Sequence, residues 1–354
     1  MLVCASGEAR LGSSRFDSPP SRCRPRRLVY YPHMLLGLAL IGAAAISWGT
    51  TGATMALLSR DTGISPLFVG WARLAIAAPF LLSAAAVSRL MERHHAPPRR
   101  PERRATVCAG YVALGLAMAT YQVCYFRAVT LTGVGVAALL AICSAPVVIA
   151  VLAAAWLRER LGPTVRVSLV MAVVGTALLV IGPRGVGEIS GGFALGAVLA
   201  LGAGLSYGVY AVTAKRVLSR AAPLPVAAMT FSLGALFLTP TLLGHPVPAH
   251  DLLRAAPLLV YLGLVPTAVA YGLFTMGLAR VPATRAGIVT LLEPLTAATL
   301  GVAAFGESLG IAGWAGAALL LTALALLVTT DSTTRRSRDT RDGGDFTPSS
   351  RVGR

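Results

Sequence analysis

The chain states one apolar unit twice. Ser47-Trp48-Gly49 returns as Ser206-Tyr207-Gly208. Pro146, followed by Glu159-Arg160-Leu161-Gly162, returns as Pro294, followed at the same spacing by Glu307-Ser308-Leu309-Gly310. Long hydrophobic runs separate these marks. A duplicated hydrophobic unit is the sequence sign of a membrane carrier built from two pseudo-symmetric halves. Composition places the chain in lipid on independent grounds: 55% of residues are hydrophobic and only 13% charged, against about 25% charged in soluble domains.

Ten segments are long enough for a hydrocarbon core of ~30 Å, which takes about 20 apolar residues. They run 34–58, 67–87, 105–126, 133–157 and 164–181 in the first half, and 192–214, 224–243, 255–278, 286–305 and 309–328 in the second. The expected fold is an all-α membrane protein of ten transmembrane helices in two five-helix repeats, 34–182 and 192–329. Residues 1–33 are rich in Arg, Ser and Pro and read as a disordered, dispensable arm, since Met34 opens the first apolar run directly. Residues 331–354 read as a disordered polar tail. A signal peptide is a poor reading of the first segment, whose apolar stretch is too long and is followed closely by a second span.

The net charge is +17, yet the basic residues form no continuous stripe, so nucleic acid is not expected as a partner. They sit in short clusters between apolar runs, as membrane-flanking charge does. With the N-terminus inside, one side collects the arginines of the N-terminal arm, Arg89 to Arg104 of the second loop, Arg158, Arg160, Arg166, Lys215, Arg216, Arg220, Arg280, Arg285 and those of the tail. The other side holds only Arg60, Arg127, Arg184 and Arg254. Both termini are therefore expected in the cytoplasm, and the Arg-for-Lys, Ala-rich composition, with Lys215 the only lysine, points to a GC-rich bacterial source. An odd number of spans per half turns the second half upside down, so the repeat is inverted, and such repeats place a solute site near mid-depth between the halves. The five cysteines contain no C-x-x-C, and the histidines read as loop or arm residues. No metal or other cofactor is expected.

Both halves resemble the EamA domain of the drug/metabolite transporter superfamily. The resemblance rests on Ser-Trp-Gly and Ser-Tyr-Gly in the first helix of each half, Arg73 in the second helix, Pro146…Glu159, and Leu292-Glu293-Pro294…Phe305-Gly306-Glu307. It covers about residues 34 to 330. It implies ten transmembrane helices, an inner-membrane location, and transport, most often export, of small metabolites or drugs. Several branches that look similar export amino acids.

Glu293 is the only acidic residue placed deep in a span, about 12 Å from the inner end of the ninth helix at ~1.5 Å per residue. An ionised carboxylate there is costly unless paired or hydrated. It reads as a proton-coupling or substrate-amine site, or else as a protonated group capping backbone freed by Pro294. Arg73 either snorkels outward or meets an anionic group, a substrate carboxylate or Glu293 itself. Trp48, Tyr121, Gln122, Tyr125 and Tyr207 are candidates for a substrate wall, against a packing or interfacial role for each. Pro146 and Pro294, with Pro266, are candidate helix kinks. Gly204-Leu205-Ser206-Tyr207-Gly208 matches G-x-S-x-G but lies inside a helix with no histidine in a span, so it is not a nucleophile elbow.

The expected function is a secondary carrier with alternating access, exporting a small organic metabolite, amino-acid-like, or a drug. It would work by proton antiport or facilitated efflux, with the solute, the bilayer and protons as its partners. An importer of the same solutes is the alternative, and a non-transporting membrane scaffold or sensor a remote one. A membrane enzyme is not expected, because one interior carboxylate supplies no catalytic cluster. Oligomeric state is not legible in the chain.

Overall fold

Where lipid cannot hydrogen-bond the backbone, a helix satisfies its amides within its own segment, and the described part of this chain is almost wholly helical. The computed structural model describes residues 30–92, 104–181, 192–242, 247–305 and 310–342. The helices are α1 (Tyr30–Asp61), α2 (Pro66–Glu92), α3 (Arg104–Trp156), α4 (Pro163–Ile181), α5 (Phe193–Leu218) and α6 (Pro223–Leu238), the last extended by a 3₁₀ turn, Thr239–Leu242. They continue with α7 (Ala249–Gly263), a π-helical turn Leu264–Val269, α8 (Ala270–Leu278), α9 (Ala283–Val289), α10 (Leu292–Phe305) and α11 (Gly310–Asp342). Proline opens α2, α4 and α6, where its missing amide would have had no helical partner. Among the described residues nine stretches are long and apolar enough to cross a membrane, and Pro163–Leu179 of α4 is a shorter tenth.

Several expected boundaries change. The third span runs on past its expected end at 126 to Gly133, where α3 is two helices joined at a kink; the φ of 78° suits a residue without a Cβ, and the fourth span follows from there as expected. Within α3 the one residue outside helical dihedrals is Gly133; they stay helical through Pro146. The span expected at 255–278 passes through the π-turn at Pro266, and the span at 286–305 is broken between α9 and α10. There Pro294 cannot donate to the carbonyl of Thr290, and the Glu293 amide does so instead at 3.0 Å, tightening the chain out of α geometry. α11 runs on to Asp342, into the segment read as tail, and α1 begins at Tyr30, ahead of Met34. Met34 itself packs in the core. His33 and His250, read as arm and loop residues, lie in the first turns of α1 and α7. Glu307, residues 1–29 and residues 343–354 lie outside the described residues.

The repeat reappears as contacts. Gly49 of α1 presses on Thr296 and the Glu293 carbonyl of α10, and its counterpart Gly208 of α5 presses on Val148 of α3. Gly37 of α1 meets the Arg280 and Val281 turn, while Gly196 of α5 meets Leu131 and Thr132. The same glycine in each half thus approaches the equivalent helix of the other part of the bundle, and a Cβ would collide at each. Two further pairs, α2 against α6 and α4 against α11, close the bundle between the halves. Gly208→Leu is expected to destabilise by about 1–3 kcal/mol through overpacking. Gly52→Leu, with no neighbour within 4 Å, is expected to be near neutral. Thermal denaturation followed by size-exclusion of the detergent-solubilised variants checks the pair; equal melting would deny the close crossing.

Two charges fasten the turn between α8 and α9. The Glu159 carboxylate, just past the end of α3, accepts from the amides of Ala283 and Thr284 at 2.7 and 3.1 Å and from the Thr284 hydroxyl at 2.8 Å. It is thereby the cap of α9. Arg158, at φ 55°, takes a left-handed turn that carries Glu159 back toward this site. From α5, the Lys215 ammonium donates to the carbonyls of Leu278 and Val281, each at 2.7 Å, closing the end of α8. Anion at a helix start and cation at a helix end is the arrangement that the helix dipole favours.

Candidate functional site

The break after α9 and the π-turn before α8 meet α1, α2, α3 and α5 around one group of polar and aromatic side chains. Glu293 stands in the first turn of α10, beside the break. It therefore begins a half-helix rather than lying within an unbroken ninth helix. Across from it, Arg73 of α2 reaches inward rather than snorkelling, and its Nε donates to Thr267 Oγ1 at 3.0 Å. Arg73 and Glu293 are not in ion-pair contact, but each charge acts on the other and on Tyr121, Tyr125 and Tyr271. Glu293 also acts on Tyr207. Both charged groups keep part of their surface accessible while helices surround them.

The aromatic candidates form a continuous wall. Trp48 of α1 lies edge-on to Tyr207 of α5, with ring centres 6.4 Å apart. Tyr207 lies 5.9 Å from Tyr121 of α3, and Tyr121 stacks on Tyr125 at 5.8 Å. Gln122 departs from its neighbours: its amide nitrogen donates to the Gly70 carbonyl of α2 at 3.3 Å, which ties α3 to the helix that carries Arg73. Trp156 and Trp314 are exposed on the outside of the bundle.

Three members went unnoticed in the sequence. Tyr271 and Phe274 of α8 approach Trp48 with ring centres at 4.7 and 5.4 Å, and Thr267 holds Arg73. A lone aromatic or threonine in an apolar run carries no periodic mark; the nearby Pro266 was the available signal. Arrayed around the same wall are buried polar atoms that, among the described residues, have no hydrogen-bond partner. They are Ser47 Oγ, Trp48 Nε1 and Thr51 Oγ1 on one face of α1, Gln122 Oε1, and the hydroxyls of Tyr207 and Tyr210. Buried polar atoms are ordinarily paired. Trp48 Nε1 can only donate and Gln122 Oε1 can only accept, so this wall is chemically suited to a solute or water offering both. No three His, Cys, Asp or Glu come together among the described residues.

Known proteins share this architecture. A profile of the EamA-like transporter family matches residues 35–181 and again 194–329. An uncharacterized transporter of Bacillus subtilis, YwfM, is 36% identical over 286 residues, covering 80% of this chain and 90% of its own. An uncharacterized inner membrane transporter of Salmonella typhimurium, YicL, is 24% identical over 307 residues, covering 85% of this chain and 97% of its own. One solved crystal structure superposes with a TM-score of 0.67 over 86% of this chain and 98% of its own; at 22% identity the likeness is one of fold.

Proposed function

The chain belongs to the EamA-like transporter family, a family of membrane transporters rather than enzymes, and from that premise we propose that it exports a small amino-acid-like metabolite or drug by alternating access. The observation that carries this reading is Glu293: an interior carboxylate at a helix break, facing an aromatic wall, with Arg73 close by but not in contact. An uncompensated carboxylate at mid-depth costs on the order of several kcal/mol, which favours its taking up a cation. A proton and a solute ammonium are alternative cations for the same oxygens. If both cannot be held together, the inward passage of a proton drives the outward passage of the solute. Arg73 supplies the complementary charge for a carboxylate, and Trp48, Tyr121, Tyr125, Tyr207 and Tyr271 supply apolar faces for the solute body.

The arginine distribution supports a multi-pass inner-membrane placement with both termini cytoplasmic. In that orientation the turn held by Glu159 and Lys215 lies on the cytoplasmic side.

Expression of the chain in a sensitive bacterial host, with excretion and resistance scored across amino acids, their analogues and cationic drugs, tests the reading. Raised excretion or resistance for at least one solute, lost in Arg73→Leu for solutes that carry a carboxylate, is the expected result. Uptake instead of release, or no change for any member of the panel, would overturn it.

A further inference from the structure

The geometry around Arg73 assigns a role to a residue of another helix. Pro266 has no amide proton, so the Leu262 carbonyl four residues earlier loses its α-helical donor. The chain passes here through the π-turn Leu264–Val269, and the Thr267 hydroxyl donates to the Leu262 carbonyl at 2.7 Å. A hydroxyl has a single proton. Having given it to Leu262, Thr267 Oγ1 can only accept, and it accepts from Arg73 Nε at 3.0 Å. Thr267 is fully buried, so the direction of both bonds is set: Nε–H to Oγ1, then Oγ1–H to the carbonyl.

This chain of bonds limits what Arg73 can do. A guanidinium meets a carboxylate in two bidentate ways, side-on through Nε and one Nη, or end-on through both Nη atoms. Thr267 occupies Nε, and among the described residues no hydrogen bond uses either Nη. We propose that Thr267 is a positioning residue for Arg73: it holds Nε and so leaves the Nη edge to meet the carboxylate of a solute end-on. This rests on the reading of Arg73 as solute-facing. The role belongs to the pair across α2 and the π-turn. Thr230, at the position that answers to Arg73 in the second half, spends its hydroxyl on its own helix, at the Val226 carbonyl.

The test uses the full chain in lipid nanodiscs with ¹⁵N-labelled arginine. The Arg73 Nε–H signal is assigned by its loss in Arg73→Lys, and its hydrogen exchange is measured in wild type, Thr267→Ser, Thr267→Val and Thr267→Ala. Wild type and the serine variant are expected to protect the proton, and the variants without a hydroxyl to exchange it at least about tenfold faster. In liposomes, counterflow of labelled L-phenylalanine is compared with that of phenethylamine, which lacks the carboxylate. Loss of the hydroxyl is expected to raise the half-saturation concentration for L-phenylalanine about tenfold with little change in maximal rate, to leave phenethylamine unaffected, and to be rescued by serine. A merely structural threonine would move both probes alike. Alanine stands in if the valine variant fails to elute as a single species. Unchanged exchange without the hydroxyl would overturn the proposal, and so would a freed Nε with L-phenylalanine unaffected. If wild type moved neither probe, the solute class proposed above would fall for these compounds, and the exchange arm would decide for Thr267.

Discussion

Glu293→Gln is expected to abolish proton-driven movement of solute while leaving the fold intact. Glutamine keeps the shape and the hydrogen-bonding capacity of the side chain but can neither ionise nor release a proton. In liposomes with an imposed pH gradient, accumulation by the variant is expected to fall at least about a hundredfold, toward the level of empty vesicles. That corresponds to the removal of an ionic contact worth about 3 kcal/mol. Glu293→Asp, one methylene shorter, is expected to retain partial activity. Stability should move the other way. A neutral amide removes the cost of a carboxylate held inside the bundle, so the glutamine variant should melt at or above the wild-type temperature. Gradient-driven transport at wild-type speed in the glutamine variant would remove Glu293 from the coupling step.

Glu159→Ala is expected to be strongly destabilising, although it lies outside the wall. It removes three hydrogen bonds to the start of α9, two of them to backbone amides. Caps contribute about 0.5–2 kcal/mol, and bonds to a charged partner about 1.5–3 kcal/mol, so a loss of about 2–3 kcal/mol follows. Lys215→Met should cost a comparable amount, because the Leu278 and Val281 carbonyls lose their donor. The two charges also act on one another. The double variant should therefore differ from the sum of the singles, and a thermal-denaturation double-mutant cycle measures that coupling. Full additivity would mean that the two ends of the turn are fastened independently.

Much of the fold is legible because membrane insertion depends on properties that residues carry singly. Apolar length marks the spans, and proline marks where α2, α4 and α6 begin. Ser-Trp-Gly and Ser-Tyr-Gly are legible as a repeat because Gly49 and Gly208 each sit where a partner helix leaves no room for a side chain. Glu293 and Arg73 are legible for the opposite reason: each is a charge in a run that otherwise excludes charge. The breaks are less legible. Pro146 and Pro294 look alike as marks in the repeat, yet α3 continues through Pro146 while Pro294 adjoins an interruption. Gly133, where α3 does turn, opens the fourth expected span, so the gap between apolar runs marks that break.

The site divides along the same line. Trp48, Tyr121, Tyr125 and Tyr207 are aromatic residues in spans, and the structure brings them into one wall. Gln122 shares their helix but turns to Gly70. Tyr271 and Phe274 of α8, and Thr267 of the π-turn, join from a segment in which only Pro266 is marked in the sequence. The sequence by itself determined a duplicated, membrane-spanning, all-helical chain with two charges misplaced in its spans, since hydropathy, charge and repetition are read residue by residue. Tertiary structure alone decided which side chains meet. Thr267 lies 194 positions from the arginine it holds, and Glu159 lies 124 from the first amide it caps. Hydrogen bonds form at about 3 Å in space, and separation along the chain does not report that distance.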